Sequence, residues 1–570
     1  MQLYAMWLAI DTQKGSAYVY GCVLVKLKVL CAFSQGKELI CANVHTHTHT
    51  HTHTYTYTHI HTHTHHNLMQ ITDSASFSHK EQVSTTANEN RPNIIFLLAD
   101  DLGYGDVGYN GGSASTPNID KMARGPHSAQ FSQFYSGSPV CSPTRGTLLT
   151  GRNHNRYCIW KANTAGKNCR PQDDFKCPTQ HPLPLSEVTV AEILKEQGYR
   201  TAVFGKWHLG DLKPLSLSNA HYTSNPGQNG FDVWKVTERA VPTATPNCGC
   251  YNTSYCVLGH YRNRKEAIPC TNYHAALSED PTTSVPHDGL ILQDDSHFII
   301  NELLSFLSNV TSSGSPNRPF FAYVPFHAVH KRYIATPPFS SQYSSKILSD
   351  DDIDYFAAIS AMDAAVGQLR EALQDLGISS KTMLWFASDN GPANRTPGNT
   401  AGLRGIKGSL FEGGIRVPGI IEWPGMIHKN HKIDTPVVTN DFLPTVCDVL
   451  GISPPTDRPL DGESLLPLLK EESTRRRNDS IKWAFRINEN FSRRYSAAII
   501  NNRNFKLIAD YQRDKVTRAE LYDLSRDPSE STDVSSSYQD TFKELLKELE
   551  TWRLSVKESA TREVRCLPED

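Results

Sequence analysis

From Arg91 onward, short and almost wholly apolar runs alternate with segments of helical periodicity. Asn93–Ala99, Phe131–Ser136, Arg200–Gly205, Phe320–Val324 and Thr382–Ser388 read as strands. Between them, Thr189-x-x-Glu192 is a capping box opening a helix that Gly198 ends. Near the C-terminus Phe542, Leu545, Leu546, Leu549 and Trp552 recur at helical spacing, which predicts a helix over 542–554 packing that stripe on a core. Strands alternating with helices imply an α/β fold, a large and mostly parallel sheet flanked by helices on both faces.

The polar residues fall in a pattern too. Asp100 and Asp101 follow the first strand, and Cys141 lies a short loop beyond the second. Lys206 and His208 follow the third strand, His327 and His330 the fourth, and Asp389 and Asn390 the fifth. Five strands thus deliver reactive side chains at their carboxyl ends, the edge where open α/β sheets bind ligands.

Composition narrows the class. A chain of 570 residues holds a large α/β domain plus a smaller one. The boundaries expected are 1–90 for a disordered N-terminal extension, 91–455 for a catalytic domain and 456–570 for a smaller C-terminal domain. A net charge of −2 gives no pull toward nucleic acid or a membrane surface. No uninterrupted apolar run is long enough to form a transmembrane segment. Of 13 cysteines, Cys158, Cys169, Cys177, Cys248, Cys250, Cys256 and Cys270 crowd one loop-rich third, which suggests disulfides and an oxidising compartment, pairing open. Asn-x-Ser/Thr acceptors occur at Asn252, Asn309, Asn394, Asn478 and Asn490, weak support for secretion. Residues 17–33 are apolar but broken by Lys26 and Lys28, a poor signal peptide. Residues 45–66 are nearly pure His-Thr alternation. Such a tract is read either as metal-binding or, preferably, as a CA dinucleotide repeat translated in frame.

Asp100, Asp101, Asp389 and Asn390 offer only oxygen ligands. That set suits a hard cation, calcium or magnesium, which would relieve the repulsion between adjacent carboxylates. Pro143 fits the first turn of a helix, so residue 141 sits at a helix N-terminus, where free N–H groups favour an anion. Arg145 lies one turn further on.

These residues stand in recognisable text. Cys141-Ser142-Pro143-Thr144-Arg145, continuing to Thr150-Gly151-Arg152, resembles the site at which sulfatases have a cysteine oxidised to formylglycine. L-A-D-D-L-G-Y-G-D, G-K-W-H-L-G, S-D-N-G and L-R-G-I-K-G-S-L-F-E-G-G-I-R-V-P resemble further segments of the same family. The likeness covers about 91–545, including the long helix around Tyr355–Leu369 and a smaller α+β domain with an antiparallel sheet. It implies an alkaline-phosphatase-like fold and hydrolysis of a sulfuric ester through a covalent sulfo-enzyme. The implied parts are formylglycine at Cys141, one Ca2+ held by Asp100, Asp101, Cys141, Asp389 and Asn390, and catalytic Arg145, Lys206, His208, His330 and Lys407. His330 is aligned with a family histidine usually followed, one residue later, by proline. Position 332 is arginine, and His327 is the alternative.

The resemblance also implies maturation by a formylglycine-generating enzyme, a sulfated small molecule or glycan as substrate, and a lysosomal or extracellular location. A phosphoesterase or phosphonate hydrolase of the same superfamily, an inactive binder of sulfated glycans and a calcium-dependent scaffold are the alternatives. Substrate choice is expected to rest on loops 161–184 and 237–287.

Overall fold

The fold is given by a computed structural model, which describes residues 91–563 with breaks inside 163–181, 211–223, 242–293, 313–317, 332–347, 471–476, 486–495 and 513–514, and four short strands within 8–43. Residues 1–81 cluster as a unit of their own, in which Leu8–Asp11 pairs with Ser16–Val19 and Val29–Phe33 with Leu39–Asn43. The His-Thr tract lies outside the described residues, as do most of 1–90 and both expected substrate loops in large part. Cys158 is disulfide-bonded, and the other six clustered cysteines lie outside the described residues.

Residues 82–570 form the second unit. Its main elements are β1 (Asn93–Ala99), α1 (Pro117–Arg124), β2 (Ser128–Phe131), α2 (Cys141–Thr150), α3 (Val190–Glu196), β3 (Arg200–Lys206), β4 (Val233–Thr237), β5 (Tyr273–Ala276) and β6 (Ser284–Pro286). They continue through α4 (Asp295–Ser312), β7 (Phe320–Pro325), α5 (Asp350–Asp375), β8 (Thr382–Ser388), β9 (Gly419–Glu422), β10 (His431–Ile433) and α6 (Phe442–Leu450). The last are β11 (Ile481–Ala484), β12 (Ala497–Ile500), β13 (Phe505–Gln512), β14 (Lys515–Asp523) and α7 (Gln539–Glu558).

Ten strands make one sheet in the order β6-β5-β4-β3-β7-β1-β8-β9-β2-β10. The middle five, β4-β3-β7-β1-β8, are parallel, and their neighbours β5 and β9 are antiparallel to them. Alternation along β1 shows why this sheet is central. Ile94, Phe96 and Leu98 enter the core on one face, with residues of α2, α3 and α6. Ile95, Leu97 and Ala99 enter the core on the other, with residues of α1, α4 and α5. Phe96 stacks on Trp385 and meets Phe442 edge-on. Phe96→Ala is therefore expected to cost about 3–5 kcal/mol, read as a lower urea midpoint at unchanged slope.

The expected strand over 131–136 is corrected to two. The chain leaves the large sheet at Phe131 and pairs again at Phe134–Tyr135, within a separate three-stranded sheet. Ser132 and Gln133 make the switch, bonded to the Ile433 and Asp434 carbonyls. The capping box of Thr189 and Glu192 is present at the start of α3.

Strands β11–β14 form an antiparallel sheet in chain order. On one face Trp483, Ala498, Ile500 and Ile508 pack with Tyr135, Leu410 and Ile415. On the other, Ala497, Ile499, Leu507 and Ala509 pack with Leu545 and Leu549 of α7, and Phe542, Leu546 and Trp552 lie against them. The terminal stripe is thus a packing surface, as its periodicity implied.

Candidate active site

The parallel strands end together, and their last residues converge. Asp100 and Asp101 leave β1, Lys206 closes β3, and Asp389 and Asn390 leave β8. Helix α2 begins at residue 141 and brings Cys141 to this edge. Ligand atoms of Asp100, Asp101, Cys141 and His330 all lie within 4.8 Å of one another. Cys141 Sγ is 3.5 Å from Asp100 Oδ1 and 3.9 Å from Asp101 Oδ1, and Lys407 Nζ reaches the sulfur at 3.3 Å. Lys407 also donates to Asp101 Oδ1.

The cations brace the carboxylates. Lys206 Nζ donates to Asp100 Oδ2 at 2.5 Å. Arg145 donates from Nε and Nη2 to Asp389 Oδ2 at 3.1 and 2.7 Å, and from Nη1 to the Lys206 carbonyl at 2.8 Å. Arg145 is wholly buried, and these bonds make it a brace between β3 and β8. Asn390 Nδ2 donates to Asp101 Oδ1 at 2.7 Å.

The two histidines after β7 part company. His327 is fully buried, with Nδ1 2.6 Å from Asp295 Oδ2 and Nε2 2.7 Å from Thr237 Oγ1. His330 turns to the cluster instead, Nε2 3.7 Å from Asp101 Oδ2, its side chain 31% exposed. Of the two, only His330 borders both the acids and solvent. His208, beside Lys206, is buried. Asp101 and His208 both hold left-handed backbone, at φ 61° and 56°, a conformation that clusters at functional sites because the surroundings must enforce it.

Electrostatics follow from burial. Burial pushes the Cys141 thiol up to about 12, aided by Asp389 and opposed by Lys206 and Lys407, so at neutral pH the sulfur is a protonated, poor nucleophile. Burial also works against ionised Asp100, but Lys206, His330, Arg145 and Lys407 outweigh it and hold that carboxyl well below its usual range. Asp389 is pushed up to about 6 by burial and then by Asp100, against Arg145. Two neighbouring carboxyls whose protonation is driven apart in this way titrate as a coupled pair. Burial, then Lys206 and Arg145, holds His208 well below the ordinary imidazole value, so the ring is neutral.

A divalent cation fits these donors. Asp101 Oδ2 and Asn390 Oδ1 are buried without a hydrogen-bond partner among the described residues. An oxygen ligand set with unsatisfied lone pairs is what a hard ion takes. Sequence reasoning missed the supporting residues Asp295 and Thr237, which fix His327. No local signal marks them, because they come from other elements.

A cysteine at a helix N-terminus, hard oxygen donors and a ring of cations meet at one sheet edge, and the chain belongs to the sulfatase family. The family profile described as Sulfatase matches residues 92–452. A second, described as N-sulphoglucosamine sulphohydrolase, C-terminal, matches 406–555. Members of this family generally work with a formylglycine and a divalent metal.

Among individual proteins, the chain is similar to N-acetylgalactosamine-6-sulfatase of Canis lupus familiaris, at 33% identity over 391 residues, 66% of each chain. It is also similar to steryl-sulfatase of Homo sapiens, at 27% over 559 residues, 84% of this chain and 89% of that one. The crystal structure of Ps i-CgsB in complex with k-i-k-neocarrahexaose superposes with a TM-score of 0.65 at 26% identity, covering 82% of this chain and 94% of that one. No helix among the described residues is long and apolar enough to cross a membrane.

Proposed function

We propose that this protein is a sulfuric ester hydrolase whose reacting group is formylglycine made from Cys141. The observation carrying this reading is the seat of residue 141, between Asp100, Asp101 and Lys407 at the sheet edge. As formylglycine, residue 141 would supply, once hydrated, one hydroxyl to attack sulfur and a second to release sulfate. Asp100, Asp101, Asp389 and Asn390 would hold one calcium ion beside it, which would draw charge from the ester oxygens.

The chain's own residues do the rest. Lys206 and Arg145 hold Asp100 and Asp389 in register. Lys407 keeps a positive charge on the reacting side chain, where negative charge gathers in the transition state. His208, neutral, accepts a proton when sulfate is released. His330, at the solvent side, gives a proton to the departing oxygen. His330→Ala is expected to lower kcat by about 10²–10⁴-fold on alkyl sulfates, and less on 4-nitrophenyl sulfate, whose leaving group needs no proton.

The similarity to an N-acetylgalactosamine-6-sulfatase and to a steryl-sulfatase supports a sulfated sugar or an aryl or steryl sulfate as substrate. The Cys158 disulfide supports maturation in the secretory pathway, with a formylglycine-generating enzyme as partner and a lysosomal or extracellular destination. The domain reading stays 91–455 for catalysis and 456–570 for the smaller part. Rates on 4-nitrophenyl sulfate and 4-nitrophenyl phosphate, then on a panel of sulfated sugars, test the proposal. A dominant phosphate rate would favour the phosphoesterase alternative and defeat the sulfatase reading.

A further inference from the structure

Behind Lys407 lies a buried charge cluster that the reaction does not use. Glu412, Lys506 and Glu530 are each fully buried. Lys506 Nζ lies 2.8 Å from a carboxylate oxygen of Glu412 and 2.8 Å from one of Glu530. Glu412 takes a further bond from Tyr135 Oη at 2.8 Å, and its backbone N–H donates to Glu530 Oε2 at 2.6 Å. Arg404 Nη1 donates to the Glu530 carbonyl at 2.9 Å, and its guanidinium lies 3.8 Å over the Phe411 ring.

Lys506 belongs to β13 of the small sheet, and Glu530 lies in the loop that follows β14. Glu412 belongs to segment 403–416, which carries Lys407. That segment is folded on itself by the Gly413 N–H on the Arg404 carbonyl at 2.7 Å. A Cβ at Gly413 would come within 2.3 Å of the Gly405 carbonyl oxygen, so only glycine permits this closure. Three more backbone bonds tie the segment to the site. Gly408 N–H donates to the Pro139 carbonyl at 2.8 Å, Lys407 N–H to Pro392 at 3.0 Å, and Gly391 N–H to Gly414 at 3.0 Å. Pro139 lies two residues before Cys141, and Gly391 directly follows Asn390.

We propose that Lys506 and Glu530 are positioning residues, through which the small sheet holds Lys407 against residue 141. Resting as it does on the hydrolysis proposed above, this gives the small sheet a part in turnover. A buried lysine between two carboxylates fixes its partners tightly, because removing one leaves a charge unpaired in a dry site. The fixed partner here is the backbone of Glu412, five residues beyond Lys407.

The test uses the full chain with Lys506→Met, and with Lys506→Met/Glu530→Gln in case the first fails to fold. The double variant leaves Glu412 its pairing with Arg416, 3.4 Å away. Amide exchange over 403–416 is expected to rise at least about tenfold while β1 stays protected. The kcat for sulfate esters is expected to fall about 10–100-fold with little change in KM. The same changes made on a Lys407→Ala background are expected to cost nothing further, since the cluster acts through Lys407. Unchanged exchange over 403–416, or a full loss of kcat on that background, overturns the proposal. A wild-type chain without sulfate-ester turnover defeats the proposed function instead, and the exchange measurement then still decides whether the cluster holds the segment.

Discussion

Cys141→Ala is expected to lower kcat for sulfate esters by about 10⁵-fold or more, with the fold intact. The size of the loss follows from what is removed. Alanine has no route to an aldehyde, and among the described residues no other nucleophilic side chain is bonded to Asp100 and Lys407 in its place. The fold survives because each partner of the buried thiol keeps an ion pair of its own. Asp100 keeps Lys206, Asp389 keeps Arg145, and Asp101 keeps Lys407. Loss of one small buried group costs about 1 kcal/mol, a small fraction of the stability of a domain this large. Thermal unfolding beside the rate assay separates the two effects. Appreciable sulfate release from a well-folded Cys141→Ala variant would remove residue 141 from the reaction.

The second large effect is expected from chelation. Dialysis against EGTA is expected to lower kcat by roughly 10²–10⁴-fold, since a divalent ion held by these residues would supply several kcal/mol of charge stabilisation. Asp100, Asp101 and Asp389 crowd one site, and two buried oxygens, Asp101 Oδ2 and Asn390 Oδ1, lack hydrogen-bond partners there. An ion held there would satisfy them and offset the repulsion. Its removal also lowers unfolding stability, by about 2.7 kcal/mol if the ion had been present at a hundred times its Kd. The chelated protein still folds, because three cations remain paired with the acids. Calcium is expected to restore rate and melting temperature better than magnesium, whose strict octahedral demand suits this set less. Full activity in EGTA would contradict the metal assignment.

The strand ends were legible because they combine two strong signals. A strand buried on both faces is nearly all apolar, so Asp100 after Ala99 and Asp389 after Ser388 mark its end and its chemistry at once. The capping box at Thr189 was legible for a similar reason, since both partners lie within four residues. What failed to show is what depends on distant partners. The break at Ser132 and Gln133 rests on Ile433 and Asp434, some 300 residues away. His327 and His330 follow the same strand, and what separates them is Asp295 and Thr237 around the first and Asp101 beside the second. No local pattern marks Lys506 and Glu530, whose burial exists only once the small sheet meets segment 403–416.

The most direct measurement is the mass of the tryptic peptide spanning 125–145, taken from the active protein after alkylation. Residue 141 is expected to have lost its sulfur, to carry an aldehyde and to take up no alkylating agent. An active enzyme whose peptide keeps a thiol at residue 141, alkylated in full, would contradict it.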